Sequence, residues 1–138
     1  MKTAPLMIAA ALLAACAAQD EKDQSTQDAV QAVRDFIEVR GLDELDKMPS
    51  SSSDSWESIE NHFLIYKGRR DTYLVEFSRR CYELDDNTRI IADKRWDGNI
   101  IRARFDTIHG CRIHKIYALT EAETVELENL GEAPGSRN

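Results

Sequence analysis

The run IIRARFDTIHGCRIHKIYAL, residues 100–119, decides the fold class of this chain. Its first half alternates: Ile101, Ala103 and Phe105 are apolar, while Arg102, Arg104 and Asp106 between them are polar and face away, the two-residue period of a strand with one wet face. His109-Gly110 interrupts the pattern at a length suited to a hairpin loop, and Cys111 opens a second strand. Ile113, Ile116 and Leu119 recur every third residue, which plain alternation cannot turn inward together. A β-bulge near His114-Lys115 reconciles them. The stretch therefore predicts two antiparallel strands, Ile100 to Ile108 and Cys111 to Leu119.

Working outward, the upstream segments His62 to Tyr66, Thr72 to Ser78 and Thr88 to Asp93 carry the same texture, divided by Lys67-Gly68, Asp85-Asp86-Asn87 and Asp97-Gly98-Asn99. Downstream, Thr120-Glu121-Ala122-Glu123 has the form of a capping box, and Val125, Leu127 and Leu130 follow before Gly131, predicting a short C-terminal helix. At the other end, Ser25 with Asp28 marks a helix start. Ala29, Val30, Val33, Phe36 and Ile37 form its apolar stripe and Gly41 its stop. Between that helix and Trp56, Leu42 to Leu45 predicts a short turn of helix, and Pro49 with Ser50 to Ser55 predicts a loop. The expectation is an α+β fold: an N-terminal helix packed on an antiparallel sheet of about five strands, open or curled into a small barrel, with a short C-terminal helix. The globular domain is expected over residues 26–131, with 132–138 as a loose tail.

The N-terminus reads as an address. Lys2 supplies a positive charge, and Leu6 to Leu13 supply an apolar run shorter than the roughly 20 residues of a membrane-spanning helix. Leu13-Ala14-Ala15-Cys16 resembles the lipobox of bacterial lipoproteins, which implies cleavage after Ala15 and acylation of Cys16. The alternative is a secretory signal cut at an Ala-x-Ala site such as Ala15-Cys16-Ala17, with Cys16 left as a thiol. In gram-negative lipoproteins Asp after the cysteine accompanies inner-membrane retention, so Ala17 implies a lipid anchor in the outer membrane, facing the periplasm. Residues 16–25 then act as lipidated cysteine and polar tether, and the membrane is the expected partner through the anchor.

Charge excludes another class of partner. The formal net charge is −7, and losing Lys2 with the leader makes the mature chain one unit more negative. Nucleic acid attracts clustered Lys and Arg, whereas Arg69-Arg70, Arg79-Arg80 and Lys94-Arg95 are short pairs beside acids.

With Cys16 lipidated, Cys81 and Cys111 remain for an oxidising compartment, where a disulfide between them is the first reading and two buried thiols the alternative. His109, Cys111 and His114 spell His-x-Cys-x-x-His, but on a strand the first two share a face that the third does not. No metal site and no cofactor is therefore expected. The chain has no nucleophile elbow, phosphate-cradling glycine loop or calcium loop.

The pattern Trp56, Leu64-Ile65-Tyr66, Tyr73-Leu74-Val75, Cys81 with Leu84, Asp106-x-Ile108 and Cys111-x-Ile113-x-x-Ile116 is similar to a family of small gram-negative envelope lipoproteins catalogued only as a domain of unknown function. The resemblance spans about residues 30–120 and brings no catalytic residue with it. The residues favour a non-enzymatic binding or accessory module with an envelope protein as partner. Two other readings stand beside it: an envelope enzyme using a pocket near Asp106, His109 and His114, and a small-ligand carrier using an aromatic face drawn from Trp56, Trp96, Tyr66, Tyr73, Tyr82 and Tyr117.

Overall fold

A computed structural model describes residues 9–51, 54–84, 92–93 and 98–131. Outside these residues lie the Asp85-Asp86-Asn87 turn, the C-terminal tail, most of the leader, the first part of the strand expected from Thr88, and Trp96 of the aromatic face.

The decisive stretch folds into three strands where two were expected: β7 (Ile100–Arg102), β8 (Thr107–Ile108) and β9 (Cys111–Leu119). Its first half breaks because Asp106 is buried, 1% exposed, and does not face water as the alternation implied. Its Oδ2 accepts the Arg102 N–H at 2.6 Å and its own N–H donates to the Arg102 carbonyl at 3.1 Å. A carboxylate that captures backbone donors competes with the strand ladder, so the chain turns and Arg104 takes a left-handed φ of 70°. Phe105, expected inward, sits on that turn 59% exposed. The β8–β9 hairpin forms as expected: Ile108 pairs with Cys111, and His109 and Gly110 between them have φ values of 51° and 79°, as a type I′ loop requires.

The bulge also falls where the spacing placed it. On β5 (Thr72–Phe77), Glu76 pairs with Lys115 and Phe77 with Ile113, leaving His114 as the extra residue. Ile113 and Ile116 thereby enter the same core, while Leu119 joins Tyr117 on the opposite face.

That opposite face is itself covered, which corrects the expectation of one wet face per strand. The remaining strands are β1 (Glu44–Leu45), β2 (Lys47–Pro49), β3 (Ser55–Ile59), β4 (Phe63–Lys67) and β6 (Ala92–Asp93). They build an antiparallel sheet in the order β3-β4-β5-β9-β8-β6, with β1 on the same side of β9 as β8, and a separate ribbon of β2 with β7. The order ends at β3 and β6, so the sheet is open and not a barrel. Along β4, side chains alternate between two cores: Leu64 and Tyr66 join Met48 and Ile101 of the ribbon, whereas Phe63 and Ile65 join Val33 and Phe36 of the N-terminal helix. Residues 63–66 are all buried for this reason.

The segment read as helical turn and loop instead supplies β1, β2 and the start of β3. Strands of two and three residues, with Met48 alone fully buried, are too short to show a period.

The N-terminal helix α1 runs Ala9–Arg40. Ser25 is thus inside it and is not its cap, and residues 17–25 are helical, because Ala, Gln, Glu and Lys upstream favour helix. Its end follows expectation: Leu42 N–H bonds the Ile37 carbonyl and Gly41 N–H the Glu38 carbonyl, both at 3.2 Å, with Gly41 at φ 59°, a Schellman motif. The C-terminal helix α2 (Glu121–Gly131) opens with the expected capping box, Glu123 N–H to Thr120 Oγ1 at 3.2 Å and Thr120 N–H to Glu123 Oε1 at 2.9 Å. Leu127, fully buried, seats it in the helix-side core.

Candidate functional site

A hollow lies where the chain after β2 meets the β4–β5 hairpin. The cleft has a volume of about 390 Å³ and is lined by residues that include Ser50, Ser51, Asp54, Arg69, Arg70 and Tyr73. Both walls are fixed by backbone. Gly68 N–H donates to the Asp71 carbonyl at 3.0 Å and closes the hairpin on a two-residue tip, so Arg69 and Arg70 stand side by side. A Cβ at Gly68 would lie 3.0 Å from that carbonyl oxygen, so a larger residue would push the tip open. On the facing wall, Ser50 N–H donates to the Asn99 carbonyl at 2.8 Å, and Ser51 N–H donates to Asp54 Oδ2 at 2.8 Å.

Asp54 also accepts the Tyr66 hydroxyl at 2.6 Å, and that hydroxyl lies 3.2 Å from Ser50 Oγ. Burial, and then the hydrogen bond to Asp54, push the Tyr66 phenol up to about 12, so it stays a proton donor at neutral pH. Burial likewise raises the Tyr73 phenol, helped by the nearby Asp71 charge. Arg69 and Arg70 are exposed and form no ion pair among the described residues. The cleft therefore offers two planar guanidinium donors beside two carboxylates, Asp54 and Asp71, with no histidine or cysteine in its lining.

Of the residues singled out by sequence, Cys81 and Cys111 are joined in a disulfide with Cα atoms 5.8 Å apart. Glu83 Oε2 lies 3.2 Å from Cys111 Sγ. Two sulfurs bonded to each other offer no thiolate, so this grouping is a covalent brace and not a ligand set. The Arg79 guanidinium, 3.0 Å away, holds the Glu83 carboxyl below its usual range.

Asp106, His109 and His114 occupy three different surroundings. Asp106 serves the turn described above, His109 packs its ring 6.3 Å from Trp56 in a tilted arrangement, and His114 is exposed on the bulge. The third histidine, His62, sits in the β3–β4 turn, its imidazole held below the usual range by burial and then by the Arg80 and Arg34 charges. Tyr73 lines the cleft and Tyr66 supports its wall through the bonds to Asp54 and Ser50, both as buried members of the ribbon-side core and not as an open aromatic face. Cys16 falls within α1.

Sequence reading missed the cleft because its walls are about twenty positions apart in the chain and meet only through strand pairing. The available signal was the two-residue gap at Arg69-Arg70, too short to be anything but a hairpin tip.

Over residues 1–133 the chain matches the family of unknown function DUF6491, and it belongs to that family. No curated protein and no solved structure matches it.

Proposed function

We propose, with membership of that family as the premise, that the protein is a lipid-anchored, non-enzymatic binding module of the cell envelope, whose cleft takes a small polar ligand bearing a carboxylate. One observation carries the reading: Arg69 and Arg70, without ion-pair partners among the described residues, face a wall whose acceptors are already ordered by Tyr66 and the Ser51 N–H. A guanidinium fork matches a carboxylate in two parallel hydrogen bonds, and a preformed wall lowers the ordering cost of binding. The carboxylates Asp54 and Asp71 across the same cleft suit a ligand that also carries an amine, such as a short peptide with free ends. The lining holds no histidine or cysteine, and its carboxylate Asp54 is already engaged by the Tyr66 hydroxyl and the Ser51 N–H, which favours binding over turnover.

The address rests on Leu13-Ala14-Ala15-Cys16 after an apolar run of leader length. Anchored there, the module would meet ligands and envelope protein partners at the periplasmic side of the outer membrane.

Titration with the dipeptide Ala-Ala to about 10 mM, followed by amide chemical shifts, should move Ser50, Ser51 and Gly68 to Asp71, and an Arg69→Gln, Arg70→Gln variant should not respond. Shifts absent from these amides, or unchanged by the double substitution, would reject the cleft as the site. For the address, the intact mass of the protein from membranes should show acylated Cys16, and Cys16→Ser should release the chain from the membrane fraction. An unmodified Cys16 in the native protein would reject the anchor.

A further inference from the structure

The short ribbon of β2 and β7 creates a second hollow whose lining is net positive, where the charges of the cleft balance. Its volume is about 330 Å³, and its lining is Asp46, Lys47, Arg102, Ala103, Arg104 and Phe105. Three cations around one hollow stand out on a chain whose net charge is −7. The one acid of the lining, Asp46, has a side chain 97% exposed, 4.0 Å from Arg104 Nη2. At that distance and exposure it neutralises little of the local charge.

Two features show that the cations are held together at a local cost. Lys47 and Arg102 are direct register partners across the ribbon, and like charges placed opposite one another disfavour the pairing. Arg102 Nη1, moreover, is buried without a hydrogen-bond partner among the described residues. A guanidinium with one donor shut away from water carries a charge that the described residues leave unanswered, and an anion in the hollow would offset both that charge and the repulsion across the ribbon. The backbone supports this arrangement, since the Asp106 carboxylate grips the Arg102 N–H at 2.6 Å. Arg104, at φ 70°, is pinned by its N–H to the Ile113 carbonyl at 2.8 Å. The turn that breaks the expected strand is thus what brings Arg104 and Phe105 to the rim.

We propose that this hollow is a phosphate-binding site, in which Lys47, Arg102 and Arg104 share the oxygens of one phosphate group and Phe105 covers its flank. A phosphate carries more charge and more acceptor oxygens than a carboxylate, as a site with three converging cations requires. A soluble phosphate and the headgroup of an anionic phospholipid both present this group, and the two sources are separable.

The test uses the mature chain from residue 16 carrying Cys16→Ser, so that neither the apolar leader nor an acyl group contributes. Inorganic phosphate is titrated against chloride at constant ionic strength, with the amides of Lys47 and Arg102 to Phe105 as the readout. Binding to vesicles of phosphatidylglycerol in phosphatidylcholine is compared with binding to phosphatidylcholine alone. Phosphate should move these amides and chloride should not, and Lys47→Gln with Arg104→Gln should weaken the effect at least tenfold. The same double variant should melt no lower than its parent in phosphate-free buffer, because removing facing like charges relieves repulsion, and this distinguishes a lost site from a lost fold. Retention on phosphatidylglycerol vesicles that falls in the double variant and in Phe105→Ala assigns the site to a lipid headgroup. Phosphate binding without such retention assigns it to a soluble phosphate. Equal shifts with phosphate and chloride, together with vesicle binding indifferent to the substitutions, would overturn the proposal.

Discussion

Reducing the Cys81–Cys111 disulfide should destabilise the protein by an amount the fold allows to be worked out. The two cysteines are 30 positions apart and both are fully buried. The chain they enclose includes β6, β7 and β8, two of which are only two residues long. Such strands contribute little to holding their own loop closed. For a loop of this length, the chain-entropy relation gives about 3.6 kcal/mol at 25 °C. With an unfolding entropy of about 2.1 cal/mol/K per residue over roughly 105 ordered residues, this corresponds to a fall in melting temperature of about 15 °C. Circular dichroism melts of the oxidised and fully reduced protein, with thiol content checked by alkylation and mass, provide the measurement. A Cys81→Ala, Cys111→Ala variant separates the loss of the link from any effect of the reductant. A verified loss of the bond with a melting temperature within about 3 °C of the oxidised protein would refute the reasoning, since it would mean that the loop is held by other contacts.

Tyr66→Phe should cost about 1–2 kcal/mol in urea unfolding through the lost bond to Asp54. Because the folded phenol lies near 12 and the unfolded one near 10, the proton is held more tightly in the folded state. The stability this provides is complete below pH 10 and is lost as pH rises towards 12, by about 3 kcal/mol. The Phe variant should lack that step in its stability-versus-pH curve, and an identical alkaline loss in both proteins would count against the assignment. Asp106→Ala should lower stability by about 1–3 kcal/mol without changing the urea m-value, because the Arg102 N–H loses its acceptor while the core persists. Leu127→Ala removes the fully buried side chain that seats α2 and should cost about 2–5 kcal/mol, with hydrogen exchange fastest along that helix.

Elements longer than about five residues were legible in the sequence, because each declared a period or a cap. The capping box at Thr120, the stop at Gly41 and the bulge at His114 are local chemistry, and local chemistry can be read in sequence order. The misread alternation has one cause, a second layer on the sheet, whereas β1 and β2 are too short to show a period and the helix formers before Ser25 hid the true start of α1. Once the β2–β7 ribbon covers one face and the helices the other, β4 needs no polar side chain between Phe63 and Tyr66, and alternation ceases to report solvent. Asp106 misled for a related reason: an acid in an alternating run reads as exposed, yet here it is buried and satisfied by the backbone N–H of Arg102. Neither hollow was legible, since Ser50 meets Arg69, and Lys47 meets Arg104, only after the strands have paired.

The unbroken course of α1 bears on how the domain would stand relative to a bilayer. Among the described residues, the first side-chain bond from the helix to the body of the protein is at Thr26, whose hydroxyl bonds Glu60 at 3.2 Å. An acyl group on Cys16 would therefore be joined to the domain by ten residues of helix spanning about 15 Å, where an extended chain of that length reaches roughly 33 Å. A strut of that kind sets an angle as well as a height. The domain would keep one side turned to the lipid, and each residue inserted between Cys16 and Thr26 would rotate it by about 100° while raising it only about 1.5 Å.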